Sequence, residues 1–339
     1  MTNRSDTEMH ALVLGATGAI GSEITRQMCS AGWRVRALKR GLVDAALQSD
    51  RITWLRGDAM KREDVLHAAR GCSVIVHAVN PPGYRRWSEL VLPMIDNSIA
   101  AAIAEQATIV LPGTVYNYGP DALFPVIHED APQNPCTRKG AIRVEMERRL
   151  RTATHDGARA IVVRAGDFFG PHAENTWFSQ GLVKPGQPIN SIKVPSDPGV
   201  GHQWAYLPDV ARTMLKLLDV RARLDAFASF HMAGHWDSNG KKIAMAIRRV
   251  AEHYGQRSRI SRFPWWMVYL AAPAAPTMRE LLEMRYLWRQ PIRLDGSRLR
   301  QVIGDEPHTP LDEAVEASLL GLGCIPTLRR QNQAIDEIG

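Results

Sequence analysis

His10-Ala-Leu-Val-Leu14, running straight into Gly15-Ala-Thr17-Gly18-Ala19-Ile20-Gly21, decides the reading of this chain. The first stretch is a short apolar run of strand length, and Ser22 to Ala31 beyond it carries a helical pattern. Between them, three glycines form a turn without side chains where the backbone bends back on itself. Strand, glycine turn and helix in this order cradle a dinucleotide pyrophosphate. The glycines admit the phosphates close to the backbone, and Ala19, Ile20 and Gly21 open a helix whose free N–H groups and positive dipole end face them.

Outward from this turn, Gly32 to Leu38 reads as a second strand, with Lys39 and Arg40 at its end. An NAD-binding chain usually places an acid there for the ribose 2′-hydroxyl, whereas two cations suit a 2′-phosphate. NADP is therefore the expected cofactor, with NAD as the other candidate. Ile52 to Leu55 is a third strand ending in Gly57-Asp58-Ala59, with Asp58 placed to face the adenine. Cys72 to Ala78 is a fully apolar strand of the kind buried on both faces of a parallel sheet. After Ala78 it continues as Val79-Asn80-Pro81-Pro82, a stiff loop expected beneath the cofactor.

Strands and helices alternate as far as Arg164, which implies an α/β fold: a doubly wound parallel sheet of Rossmann type. Residues 1–9 read as a disordered polar extension and 10–165 as the dinucleotide-binding domain. Residues 166–339 read as a smaller, mostly helical substrate lobe, interleaved with the first domain over 207–235. A strand is expected at Phe227 to Ala233. Helices are expected over 239–254, 278–288, 295–303 and 310–320.

Further landmarks follow in order. They are Val115-Tyr116, Arg164-Ala-Gly-Asp167-Phe-Phe-Gly170-Pro171, and His202-Gln-Trp204-Ala-Tyr206-Leu-Pro-Asp209-Val-Ala211. With the glycine turn, the chain resembles the extended branch of the short-chain dehydrogenase/reductase superfamily, the epimerase- and dehydratase-like proteins. Their patterns are TGxxGxxG, VYG, RxxNxYGP and a later D-V-A segment. Asn97 matches an asparagine that the family carries on its fourth helix. The resemblance also implies a homodimer, joined through the helices that bear Asn97 and Arg143.

One part of the family pattern is missing. Its proton donor is a tyrosine in a Tyr-x-x-x-Lys pair on the helix after the fifth strand, aided by a Ser or Thr at that strand's end. Counting back from Glu147-Arg-Arg-Leu150 puts Lys139 at the tyrosine and Arg143 at the lysine; counting forward from Pro132 puts Cys136 at the tyrosine instead. Neither register supplies a tyrosine, and the Ser/Thr position falls on Pro112 or Gly113, just before Thr114. The candidate proton donors are Lys139, Tyr116 and Tyr118, since a lysine beside a second cation can act as an acid near neutrality. Arg143 would hold the nicotinamide ribose or the phosphates. Asp167, His202 and Trp204 are expected to line the substrate pocket.

The chain has 339 residues, 45% hydrophobic and 23% charged, enough for two lobes with cores of their own. Its net charge of +7 comes from cations scattered singly among apolar residues, so no nucleic-acid partner is expected. Cys29, Cys72, Cys136 and Cys324 show neither disulfide nor metal-ligand spacing, which fits a cytoplasmic protein without a metal. No stretch reaches the roughly 18 apolar residues of a membrane span. Phe263 to Pro276 is apolar and aromatic but interrupted by proline. It reads as a short helix and turn over the substrate cleft, with Trp265 or Trp266 facing the pocket, in preference to a membrane- or partner-contacting patch.

The expectation is an NADP-dependent oxidoreductase that transfers hydride to a small organic substrate. The alternatives are a non-catalytic NADP-binding redox sensor and an epimerase or dehydratase of sugar-nucleotide-like substrates.

Overall fold

A computed structural model describes residues 9–43, 48–81, 87–122 and 126–326, the side chains of Ser88 and Pro276 apart. The extension expected over residues 1–9, Met9 excepted, and Pro82 in the loop after the fourth strand lie outside the described residues.

The first half alternates strands and helices except where the third strand follows the second. It runs β1 (His10–Leu14), α1 (Ala19–Ser30), β2 (Arg34–Lys39), β3 (Ile52–Arg56), α2 (Arg62–Ala69), β4 (Val74–His77), α3 (Trp87–Glu105), β5 (Thr108–Thr114), α4 (Arg138–Ala153) and β6 (Arg159–Ala165). The chain continues through β7 (Asp167–Phe169), β8 (Ser191–Val194), β9 (His202–Tyr206), α5 (Leu207–Asp219), β10 (Phe227–His231) and β11 (His235–Asp237). It ends with α6 (Lys242–His253), β12 (Arg259–Arg262), α7 (Trp265–Ala271), α8 (Pro276–Glu283), a 3₁₀ turn at Met284–Trp288, α9 (Ser297–Ile303) and α10 (Leu311–Gly321).

Seven parallel strands form the main sheet in the order β10-β6-β5-β4-β1-β2-β3. Alternation along β1 sends neighbouring side chains to opposite faces. Val13 joins Ile24 and Met28 of α1 and Met214 and Leu217 of α5 on one side, while Leu12 and Leu14 join Val91 and Ile95 of α3 and Met146 of α4 on the other. The fold is the parallel α/β sheet read from the sequence.

The C-terminal lobe is built around a second core in which Phe169, Phe178, Trp204, Ile243, Trp265 and Trp288 are buried together. Its strands form two small sheets, β11-β9-β7 and β12-β8. Val115, Tyr118 and Ile127 pack with Met284, Leu287 and Leu294, tying the end of β5 to the C-terminal segment. The predicted helix over 278–288 is α8 followed by the tighter 3₁₀ turn, a change that aims Tyr286, Leu287 and Trp288 at the site.

Candidate active site

The glycine turn has the shape its sequence calls for. Gly15 adopts φ +87°, and a Cβ there would lie 2.6 Å from the Ala78 carbonyl carbon at the end of β4. A Cβ on Gly21 would come within 2.0 Å of the Gly15 carbonyl oxygen. These two glycines are therefore consumed by the fold. Gly18 differs, because its Cβ would meet only the Gly15 oxygen, at 3.3 Å. It caps α1 without a side-chain hydrogen bond, which leaves the N–H groups of Ala19, Ile20 and Gly21 at an open helix end beside the strand termini. Thr17 lies in the same turn. This cradle fits a dinucleotide.

The flanking positions are consistent with it. Lys39 ends β2 half-buried and Arg40 follows it exposed; among the described residues no acid forms an ion pair with either. Asp58 and Ala59 lie just past β3, with the Asp58 carboxylate accepting from the Met60 N–H at 3.0 Å. Asn97 donates to the Ala59 carbonyl at 2.8 Å, so it holds this loop in place. Ala78, Val79 and Asn80 leave β4 at the same edge, and the Asn80 side chain accepts from Arg143 at 3.1 Å.

Helix α4 carries one of the two candidates. Thr137 caps it by accepting from the Gly140 N–H, so Cys136 stands exposed just outside the helix and Lys139 lies in its first turn. Lys139 and Arg143 lie one turn apart, 6% and 8% exposed, with their charged groups 6.0 and 5.2 Å from the centre of the Trp87 ring. Lys139 also pairs with Glu280 of α8 at 3.1 Å. A Cβ on Gly140 would lie 2.2 Å from the Tyr116 carbonyl oxygen, and its absence lets α4 pack directly on the segment after β5. Thr114 is spent as a cap, accepting from the Tyr116 N–H.

The tyrosines separate. Tyr116 is half-buried, and its hydroxyl donates to Asp167 Oδ1 at 3.0 Å. The other Asp167 oxygen is 2.8 Å from His202 Nε2. Tyr118 is fully buried, bonded to Arg164 and His231, and burial pushes its phenol well above the ordinary range. It has no surface from which to reach a substrate, and it leaves the set of proton donors. Its partner His231 is held down to about 3 by burial and by the Arg164 guanidinium, so it is neutral and accepts at Nε2 while Nδ1–H donates to the Ile127 carbonyl.

Two expected pocket residues are displaced inward. Trp204 is buried in the C-terminal core against Phe169 and Trp288. The His202 ring lies flat on Trp288, 3.7 Å between centres and 15° from parallel, so it stands behind Asp167 and positions it. The hydrophobic environment of the 284–288 turn explains both, since β9 lies beneath it. Trp265 is likewise buried, donating from Nε1 to the Pro195 carbonyl, and Trp266 faces outward. A cavity of about 410 Å³ is lined instead by Tyr269, Leu282, Arg285, Tyr286 and Arg289, among others. Tyr286 connects this cavity to the site: its hydroxyl donates to the Tyr118 carbonyl, and burial, followed by the nearby Cys136 and Asp167 charges, raises its phenol above the usual range. Trp87, Glu280 and Tyr286 carry no local signal in the sequence, because each is brought to the site from a distant element.

A parallel sheet with a glycine turn at its strand ends, closed by a second lobe, defines a short-chain dehydrogenase/reductase of the extended type. The sequence profile of the NAD dependent epimerase/dehydratase family matches residues 11–233, and the chain belongs to that family. The 2-alkyl-3-oxoalkanoate reductase of Shewanella oneidensis is 29% identical over 117 residues, which are 34% of this chain and 30% of that protein's length. The crystal structure of UDP-galactose 4-epimerase is similar at TM-score 0.67 and 17% identity, over 95% of this chain and 99% of the other. That of the UDP-glucose 4-epimerase of Thermus thermophilus, in complex with NAD, is similar at TM-score 0.69 and 18% identity, over 93% and 99%. Among the described residues no helix is long and apolar enough to cross a membrane.

Proposed function

We propose that the chain is an NADPH-dependent reductase of a carbonyl group on an amphiphilic acid. The observation that carries this is the Lys139–Arg143 pair, buried one turn apart on α4, where one register of the family resemblance puts a Tyr-x-x-x-Lys pair. NADPH supplies hydride to the carbonyl carbon. Lys139 delivers a proton to the oxygen as charge develops there and is left as the neutral amine, with Glu280 holding its ammonium in place beforehand. Arg143, tied to Asn80 at the end of β4, sits on the cofactor side. Lys39 and Arg40 take the 2′-phosphate.

The substrate class rests on the cavity. Leu282, Tyr269 and Tyr286 offer apolar surface, and Arg285 and Arg289 offer cations for a carboxylate, while Glu283 on the same lining is paired with Arg138. This agrees in kind with the 2-alkyl-3-oxoalkanoate named for the Shewanella protein. A second reading has its own observation, the Tyr116–Asp167–His202 chain. In it Tyr116 gives the proton, which is replaced from His202 Nε2 through Asp167.

The test is NADPH oxidation over a panel of carbonyl compounds that includes alkyl-branched 3-oxo acids. Lys139→Met is expected to slow turnover about 10²–10⁴-fold, the usual worth of general acid catalysis, with NADPH affinity nearly unchanged. A larger loss in Tyr116→Phe than in Lys139→Met transfers the donor role to Tyr116. If the wild-type chain oxidises no NADPH across the panel, and the cofactor alone alters its association with itself or others, the non-catalytic sensor replaces both readings.

A further inference from the structure

Helix α7 presents an apolar face that the fold leaves uncovered. Trp266, Met267, Tyr269 and Leu270 are 65%, 53%, 50% and 73% exposed, while Trp265 and Val268 anchor the helix from within. Scattered exposed hydrophobics are ordinary on any protein; four large ones within five residues of one helix are a patch. The charge around it is mainly positive, since Glu280 and Glu283 of the neighbouring α8 are both paired with Arg138. From residue 253 to 279 the chain contains Arg257, Arg259, Arg262 and Arg279 and no Asp or Glu. All four arginines are exposed. Arg279 is folded back onto the Pro273 carbonyl, and Arg285 lies over the rings of Trp265 and Tyr269, so cations border the patch directly.

We infer that this face docks on a membrane surface carrying anionic lipid. Tryptophan, tyrosine and leucine on one side of a short helix, framed by arginine, suit the boundary between headgroups and acyl chains, where the rings sit with their polar atoms towards water. The charge pattern argues against a second copy of the chain as the occupant. A two-fold contact through this patch would set each arginine cluster against its own image, on a molecule already at +7. An anionic bilayer meets the same cations with attraction. The expectation from the sequence was a segment covering the cleft and no membrane partner. Tyr269 does line the cavity, but its three exposed neighbours Trp266, Met267 and Leu270 point away from the lobe. The patch thus lies at the cavity's rim, beside the place where an amphiphile would enter. The docking surface itself does not depend on the reaction assigned to the site.

Co-sedimentation of the full chain with vesicles tests this without cofactor or substrate, so its outcome is separate from that of the turnover assay. The chain is expected to pellet with vesicles of equimolar phosphatidylcholine and phosphatidylglycerol and to remain in solution with phosphatidylcholine alone. Trp266→Ser with Leu270→Ser should weaken binding about tenfold or more, and Arg262→Glu with Arg279→Glu should do the same, both with native circular dichroism. All four side chains are exposed, so folding should be spared. The proposal is overturned if the wild type stays in solution with both vesicles, or if the variants pellet as well as the wild type. It is also overturned if sedimentation velocity shows a dimer that Trp266→Ser with Leu270→Ser dissociates, which would make a second copy the occupant.

Discussion

Glu147 of α4 and Arg164 of β6 form a buried ion pair, 2.6 Å from Oε2 to the guanidinium, with both side chains almost wholly shielded from water. Asn117 donates to the same carboxylate, and Tyr118 and His231 share the same guanidinium. Because Glu147 is fixed on the strand, the residues one and two turns earlier, Arg143 and Lys139, are fixed as well. The pair therefore sets the register of α4.

Removing one member should be costly. Glu147→Leu leaves the Arg164 charge buried without its carboxylate, and urea unfolding should show a loss of about 3–5 kcal/mol. Glu147→Leu with Arg164→Met should lose less than the single variant, since no unpaired charge remains. A single variant within about 1 kcal/mol of wild type would show the pair to be dispensable.

Gly18 and Gly21 should behave differently. Gly18→Val projects a side chain into the cradle at the cost of one tight contact with the Gly15 oxygen, so calorimetry should find no dinucleotide binding while circular dichroism stays native. Gly21→Ala drives its methyl into the Gly15 carbonyl, so it should lower the unfolding midpoint as well. Unchanged affinity in Gly18→Val would mean that the cofactor lies elsewhere.

Lys39 and Arg40 govern cofactor choice if they hold a 2′-phosphate. Lys39→Asp with Arg40→Ala should weaken NADPH about tenfold or more and NADH much less, as expected for lost charge-assisted hydrogen bonds. Equal wild-type affinity for the two cofactors would reduce the pair to surface charge.

Acid should destabilise the fold through its buried histidines. Burial, and then the Arg143 guanidinium, holds His77 down to about 3, with Nδ1 bonded to Ser98; burial and Arg164 hold His231 at about the same value. The unfolded chain takes up these protons near pH 6.5, and the folded chain refuses them until far lower. Their contribution is thus complete above about pH 6.5 and drains away as pH falls towards 3. The urea midpoint should fall steadily from pH 7 to pH 4.5, and His77→Leu with Ser98→Ala should flatten that slope by about one proton. An unchanged slope in the double variant would show that His77 does not contribute to it.

The fold was legible because its signals are local. A strand, a glycine turn and a helix are written within Leu12 to Met28, and apolar strands repeat the message up to Arg164. Counting along one helix was enough to put Lys139 and Arg143 one turn apart. What counting could not supply is depth. Tyr118 and Tyr116 are two residues apart after β5, yet one is sealed among Arg164 and His231 while the other meets Asp167. Trp204 and His202 share a strand face but are roofed by Trp288, some eighty residues later. Glu280 reaches Lys139 from still farther along the chain. Such contacts depend on how the C-terminal lobe closes over the sheet, and no short pattern encodes that closure.

Strand β10 enters the main sheet beside β6 only after the chain has already passed through β7, β8 and β9 of the other lobe. The two lobes are therefore stitched, and neither can come apart without unravelling an edge of its neighbour. Gln203 tightens the stitch, donating to the Met232 and Ala233 carbonyls and accepting from the Leu294 N–H. A ligand gripped by the sheet alone accordingly lends its binding free energy to the whole chain, and helices far from the cofactor become harder to melt or to cut when it is bound.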